Sequence, residues 1–252
     1  MLQKLCHSHV FTTSDRRFEL TNGVNFRLSC VSGIKNSIIV VHKIICLRSN
    51  GEMKKEVLFV ILDQYADWEA AYLSTCILAL GKGNYEVKTV SLTREPISSA
   101  GGFKVLPDYD LQSVPVEYEA LILIGGMKWL EDSALAVKPL VQDAVVKNRI
   151  VGGICLASAF LGVCGVLNKI NHTSNDLAYM QNWAGETYIG AAKYIKEPAV
   201  RDGNIITANG TATLEFTREV LLALDIAPES NIVEWYNFHK LGFYNAPMPK
   251  MP

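Results

Sequence analysis

Two consecutive glycines ahead of a cysteine constrain this chain more than any other feature. The run Val151-Gly152-Gly153-Ile154-Cys155-Leu156-Ala157-Ser158-Ala159-Phe160-Leu161 is apolar and rich in small residues. Leu156, Phe160 and Leu161 have the spacing of a buried helical face. Glycine lets a backbone turn sharply where side chains would clash. A strand ending and a helix beginning at Cys155 make a cysteine version of the nucleophile elbow, Gly-x-Cys-x-Ala. A thiol there stands at the positive end of a helix, which favours thiolate. The competing reading is a small buried cysteine in an ordinary strand-to-helix turn.

The segments around the elbow set the fold class. Residues 56–62 form a continuous apolar run, as in strands covered on both faces of a parallel sheet. A polar loop over 63–67 follows. The spacing of Trp68, Tyr72, Ile77 and Leu80 predicts a helix over 68–80, stopped by Gly81 and Gly83. Residues 85–92 alternate as a strand, and 120–124 form a buried strand running into Gly125-Gly126. Residues 98–110 suggest a small hairpin and turn, and 133–147 an amphipathic helix. Strand 150–154 feeds the elbow. A hairpin turn over 201–204, a strand over 205–208 and a helix over 213–224 complete the pattern. It predicts an α/β fold: a doubly wound sandwich with a mainly parallel, flavodoxin-like sheet. In such sheets the site lies beyond the carboxyl ends of the strands.

Residues 1–52 read differently. They hold three of the six cysteines and three of the five histidines, with no clear period. The apolar stretch over 36–47 is interrupted by His42 and Lys43 and lies too far from the start for a signal peptide. From Met53, two lysines and an apolar strand open a domain cleanly. The expectation is a domain over 53–252, a native start at Met53, and a non-native or disordered extension over 1–52. A genuine extension capping the domain is the alternative. A net charge of −1 gives no footing for a nucleic-acid partner. No apolar run approaches the roughly 20 residues of a membrane span. Six cysteines without a Cys-x-x-Cys pair read as reduced thiols in a cytoplasmic protein. No ligand spacing suggests a metal, no Gly-x-Gly-x-x-Gly follows the first strand, and no cofactor is expected.

Three strand ends converge on one chemistry. Cys155 offers a nucleophile. Gly125, Gly126 and Leu156 offer backbone N–H groups for an oxyanion. Glu69, at the start of the first helix, is placed to reach over the thiol and share its proton, because two anions held together are costly.

The pieces Phe59-Val60-Ile61-Leu62, Asp67-Trp68-Glu69, Gly101-Gly102, Pro107-Asp108, Leu123-Ile124-Gly125-Gly126, the Cys155 elbow, Gly165-Val166-Leu167 and the run from Asp202 to Gly210 occur in a telling order and spacing. On these, residues 53 to about 245 resemble the PfpI intracellular protease family. It belongs to the class I glutamine amidotransferase-like superfamily, together with the parkinsonism-associated deglycase. The resemblance implies Cys155 as nucleophile, Glu69 as its carboxyl partner, and the Gly126 and Leu156 amides as oxyanion donors. It also suggests a homodimer acting on a small-molecule or peptide substrate.

The chain departs from that family at telling places. Protease-like members place His directly after the nucleophile; here it is Leu156. Many members carry a His on the strand after the elbow helix; here Asn175 falls near that position and His172 lies three residues earlier. Strand alternation turns His172 to the other face, so it is a candidate base with a packing role as the alternative. Asn209-Gly210-Thr211 stands where relatives often carry Arg-Gly-Pro, so Gly125, Asn175, Asn209 and Gly210 are candidate pocket residues in a changed wall. Amide or peptide hydrolysis, deglycation and aldehyde hydration are the candidate chemistries. Without an adjacent His, peptide cleavage is disfavoured, since amine departure needs a general acid. The second reading is a redox-responsive stress protein or chaperone sensing oxidants through Cys155, and the third a binding module. Cys76 and Cys164 read as core, His239 as packing or a dimer face. Tyr179, Trp183 and Trp129 read as pocket wall or core.

Overall fold

The computed structural model describes residues 16–20, 24–28, 47–48 and 54–249. The chain divides into two units, Met1–Met53 and Lys54–Pro252. In the first, β1 (Arg16–Leu20), β2 (Val24–Leu28) and β3 (Leu47–Arg48) pair antiparallel in that order. Met53, the expected start, and Cys6, Cys30 and Cys46 lie outside the described residues.

The second unit is built on strands that are apolar on both sides. In chain order come β4 (Lys55–Val60), α1 (Asp67–Leu80), β5 (Tyr85–Ser91), β6 (Ile97–Ser98), β7 (Lys104–Val105), β8 (Tyr109–Asp110) and β9 (Ala120–Leu123). Then follow α2 (Lys138–Val146), β10 (Ile150–Ile154), α3 (Leu156–Val163), α4 (Leu177–Ala184), β11 (Ala199–Asp202), β12 (Ile205–Ala208), α5 (Thr213–Ala223) and α6 (Glu229–Leu241). Seven strands form one sheet in the order β11-β12-β10-β9-β4-β5-β8. Every pairing in it is parallel except that of β11 with β12. β6 and β7 form a separate antiparallel hairpin. This is the doubly wound sandwich that the alternation predicts.

The uniform apolar run of β4 conceals a period of two. Val57, Phe59 and Ile61 join the core under α1, α5 and α6; Leu58, Val60 and Leu62 join the core under α2, α3 and α4. Both faces of the central strands are therefore dry, as parallel sheets require. No helix among the described residues is long and apolar enough to cross a membrane.

Four local expectations are corrected. Gly152 and Gly153 do not make the turn, because both lie inside β10 without positive φ. They serve close packing instead: a Cβ on Gly152 would meet Phe216 at 2.9 Å, and one on Gly153 would meet Leu161 at 2.8 Å. Trp68 is 57% exposed, since the phase of α1 is set by Glu69, Leu73, Cys76, Ile77 and Leu80. The 133–147 helix is split: a 3-10 stretch over Asp132–Val137 precedes α2, where Pro139 in the first turn restarts the helix. The 171–175 segment is no strand; it makes a single bridge, His172 to Tyr194.

Trp129 ties this fold to its strand ends. The indole is 1% exposed and packs on Phe160. Its Nε1–H donates to the Ile124 carbonyl at 2.6 Å, just before Gly125 and Gly126. Trp129→Phe keeps most of the packing and strips that carbonyl of its donor, so unfolding free energy should fall by about 1–3 kcal/mol. Urea denaturation measures it, and an unchanged midpoint would show that the bond is dispensable.

Candidate active site

Cys155 occupies the corner between β10 and α3 with φ 59° and ψ −129°. This left-handed conformation is costly for a residue with a side chain and survives only where neighbours hold it. They do: the Cys155 N–H donates to the Ala208 carbonyl at 3.0 Å, and its carbonyl accepts from Ser158 N–H at 3.1 Å and Ser158 Oγ at 2.6 Å. The strain therefore sits on the cysteine itself and lifts its side chain off the sheet end.

Three parts of the chain close on the sulfur. Asn175 Nδ2 donates to Sγ at 3.3 Å, and Asn175 Oδ1 accepts the Gly210 N–H at 2.7 Å. A Cβ on Gly210 would lie 2.8 Å from Sγ, so only glycine fits there. On the other side stands Glu69, fully buried in α1. Its Oε2 accepts the Gly125 N–H at 2.8 Å, while Oε1 has no hydrogen-bond partner among the described residues. A Cβ on Gly125 would fall 2.5 Å from Glu69 Oε2 and 2.6 Å from Cys155 Cβ, so the Glu69 and Cys155 side chains approach each other across the space glycine leaves empty.

Electrostatics follow from that enclosure. Burial pushes the Glu69 carboxyl up to about 7, against the Gly125 N–H and the Cys155 side chain, which favour its charged form. Burial also lifts the Cys155 thiol above its ordinary value; the Glu69 charge adds to this, while the Asn175 amide and the Leu156 N–H oppose it. This direction is opposite to the lowering expected from the helix terminus alone, because one terminus does not outweigh half-burial beside a carboxyl.

The other candidate residues divide sharply. Gly125 is buried, and its N–H is committed to Glu69, so it positions the carboxyl. Gly126, at φ 155°, is partly exposed, and a Cβ on it would meet the Gln64 carbonyl at 2.8 Å. The Leu156 N–H lies at the start of α3, where no helical partner exists for it. Asn209 shares a cavity wall with Asn175, and its Oδ1 accepts from Thr211 N–H at 3.0 Å and Thr211 Oγ1 at 2.8 Å.

His172 as base is corrected. It is wholly buried, with Nδ1 2.8 Å from the Ile170 carbonyl and Nε2 2.6 Å from the Tyr188 hydroxyl. A carbonyl only accepts, so Nδ1 carries the proton and Nε2 accepts from Tyr188 O–H. Burial lowers its pKa and keeps it neutral. Both nitrogens are occupied away from the sulfur, and the ring braces a loop. Cys164 is buried, with its thiol pushed up to about 12; Cys76 is buried and receives the Trp235 indole N–H at 3.2 Å. Trp129 is core, and Trp183 packs on Phe160. His239 packs among Tyr72, Trp235 and Phe238.

Sequence reasoning missed two features. Asp67 Oδ2 accepts the Gly101 N–H at 2.7 Å, which ties the β6–β7 hairpin to the first turn of α1, two residues from Glu69. Both residues stand in the motifs above, but nothing in their spacing pairs them. A cavity of about 540 Å³ also opens beside Asn175, walled partly by Gln181, Lys196 and Glu197. Those residues belong to no motif. No group of three or more His, Cys, Asp or Glu among the described residues is placed to hold a metal ion.

Comparison with known proteins agrees with this architecture. The DJ-1/PfpI family profile matches residues 55–223. Over 192 residues the chain is 38% identical to a Bacillus subtilis (strain 168) protein named uncharacterized protease YdeA, covering 76% of this chain and 94% of that protein. A thiJ/pfpI family protein from Bacillus anthracis, of known crystal structure, is 32% identical, with a TM-score of 0.69 over 76% of this chain and 92% of that one. A DJ-1 superfamily protein from Agrobacterium tumefaciens is 33% identical, with a TM-score of 0.66 over 73% and 99% of the two chains. The same sheet, the matched profile and relatives spanned over nearly their whole length lead to one conclusion: the chain belongs to the DJ-1/PfpI family.

Proposed function

We propose that this protein is a cysteine-dependent hydrolase-like enzyme that attacks a carbonyl or amide carbon with Cys155. The observation that carries the proposal is the buried Glu69 carboxyl beside the Cys155 side chain, with Oε2 pinned by Gly125 and Oε1 bare among the described residues. As Sγ bonds to the substrate carbon, its proton passes to the Glu69 carboxylate and the carbonyl electron pair moves onto oxygen. The Gly126 and Leu156 amides are the donors for that oxyanion. Glu69 then returns the proton to the oxyanion, or to the leaving group as the carbonyl re-forms; in the latter case water hydrolyses the resulting thioester, releasing the acid and restoring the thiol. A carboxyl titrating near neutrality suits both halves of this transfer.

Asn175 takes no proton, so among the described residues Glu69 is the group beside Cys155 that can relay one. That favours small activated carbonyls and amides, including glycated or aldehyde substrates, over long peptides whose amine needs a second acid. The hydrolase class is supported by the name of the Bacillus subtilis relative. The oxidant-sensor reading requires an exposed thiol of depressed pKa; Cys155 is half-buried and its pKa is raised. The proposal includes a homodimer in the cytoplasm, a setting that suits the free Cys76, Cys155 and Cys164.

Cys155→Ala should lower kcat/KM by about 10³-fold or more on a small p-nitroanilide or a reactive aldehyde. Undiminished turnover would remove the proposal. Glu69→Gln should abolish the pH limb near 7 in kcat/KM, since the titrating group is gone; a limb that persists unchanged assigns it elsewhere.

The same substitution tests burial. The Glu69 carboxyl rises from an ordinary 4.5 to about 7 on folding. Between those values the native chain holds a proton that the unfolded chain has released, so stability falls as pH rises through the window. The loss is on the order of 3 kcal/mol above pH 7. Glu69→Gln keeps an acceptor for Gly125 and does not ionise. Its stability relative to wild type should therefore improve by about that amount between pH 4.5 and pH 8, measured by denaturant titration at both values.

A further inference from the structure

Two loops laced together make the cavity beside the thiol. The His172 N–H donates to the Lys193 carbonyl at 3.2 Å, and the Ile195 N–H donates to the His172 carbonyl at 2.8 Å. Thr173 Oγ1 donates to the Glu197 carbonyl at 3.0 Å, and the Tyr194 hydroxyl to the Ser174 carbonyl at 2.9 Å. With His172 locked between Ile170 and Tyr188, the 172–176 and 193–197 segments form rigid walls. The open cleft they help to line is about 540 Å³, within the range of about 300–1,000 Å³ for small-molecule sites. It begins one side chain from the sulfur, because Asn175 lines it and also touches Sγ.

The lining is charged where small-molecule sites are mostly apolar. Asp176, Lys196 and Glu197 line one cavity, together with Gln181 and Asn209. Among the described residues none of the three charges forms an ion pair, with each other or elsewhere. Asp176 commits one oxygen to the Tyr179 N–H at the start of α4, at 2.7 Å, and keeps the other. A preformed space with one free cation and two free anions is complementary to a group of mixed charge, not to an apolar chain or a simple anion.

We infer that this cavity binds the far end of the substrate, and that this end is zwitterionic: an anionic group against Lys196 and a cationic group against Glu197 and Asp176, with the reactive carbonyl reaching Cys155 past Asn175. The inference rests on Cys155 as nucleophile and names the substrate class of that same site.

Three chloroacetamides with one electrophile and different tails test it on the full chain. They are chloroacetylated 4-aminobutyrate (anionic), mono-chloroacetylated 1,3-diaminopropane (cationic), and 2,4-diaminobutyrate chloroacetylated on its side-chain nitrogen (zwitterionic). Each alkylates a thiol by forming S–C as chloride leaves, and the thiol proton goes to Glu69 or water. Alkylation rates at Cys155 are read by intact mass and peptide mapping. The zwitterionic reagent should react about 5-fold faster than either other, the worth of one well-placed ion pair at a solvent-facing wall. Lys196→Ala should erase its lead over the cationic reagent, and Glu197→Ala should shrink its lead over the anionic one. Both side chains are exposed, so the fold is not at risk. Equal rates for all three at Cys155, or a lead that survives both substitutions, overturns the cavity assignment and leaves the nucleophile standing. Labelling no faster than in Cys155→Ala overturns both.

Discussion

A buried carboxyl with one oxygen bonded and the other bare is the constraint on which this site depends. Glu69 reaches its place because α1 follows β4 directly, and the Gly125 N–H at the end of β9 holds it there at 2.8 Å. Burying a carboxyl with one hydrogen bond is unfavourable unless it holds a proton. The fold accepts that cost next to a cysteine in a strained turn, at φ 59°. The two unfavourable features adjoin each other, and both are held by strand ends that the sheet makes rigid. Glycine stands at 125 and 210 because a Cβ would fall 2.5 Å from Glu69 Oε2 at the first and 2.8 Å from Cys155 Sγ at the second.

The absence of imidazole from the thiol reshapes the rest of the pocket. Asn175 stands beside Sγ as a donor fixed by Gly210, so it orients the sulfur without accepting its proton. The histidine of that segment, His172, is structural. Its ring joins Ile170 to Tyr188, and its backbone laces two loops together. In the proposed mechanism proton transfer is assigned to Glu69, while the loops that His172 braces wall the neighbouring cavity.

Much of the architecture was legible because parallel sheets demand strands that are apolar on both faces. The runs at 57–60, 120–123 and 150–154 declare this locally, and the helices between them force the crossovers. Cys155 was legible too, as the residue where a strand pattern stops and a helix pattern starts. Phase was less so. Trp68 reads as part of a buried stripe until Glu69 claims the inward position, since an apolar count assigns a carboxylate to solvent.

The chain's sequence by itself determined the order of the main strands and of the helices near 68–80, 156–163 and 213–224, the cysteine at the corner and a carboxyl at the start of the first helix. Those depend on neighbours within a turn or two, where periodicity speaks. Only the tertiary structure decided that Gly125 serves Glu69 across 56 positions and that Asn175 reaches the sulfur across 20. It also decided that the paired glycines of β10 admit Phe216 and Leu161 where a turn was expected. Hydrogen bonds and protonation states are set by atoms brought together from distant segments, and no local pattern records which N–H, hydroxyl or carboxyl will meet.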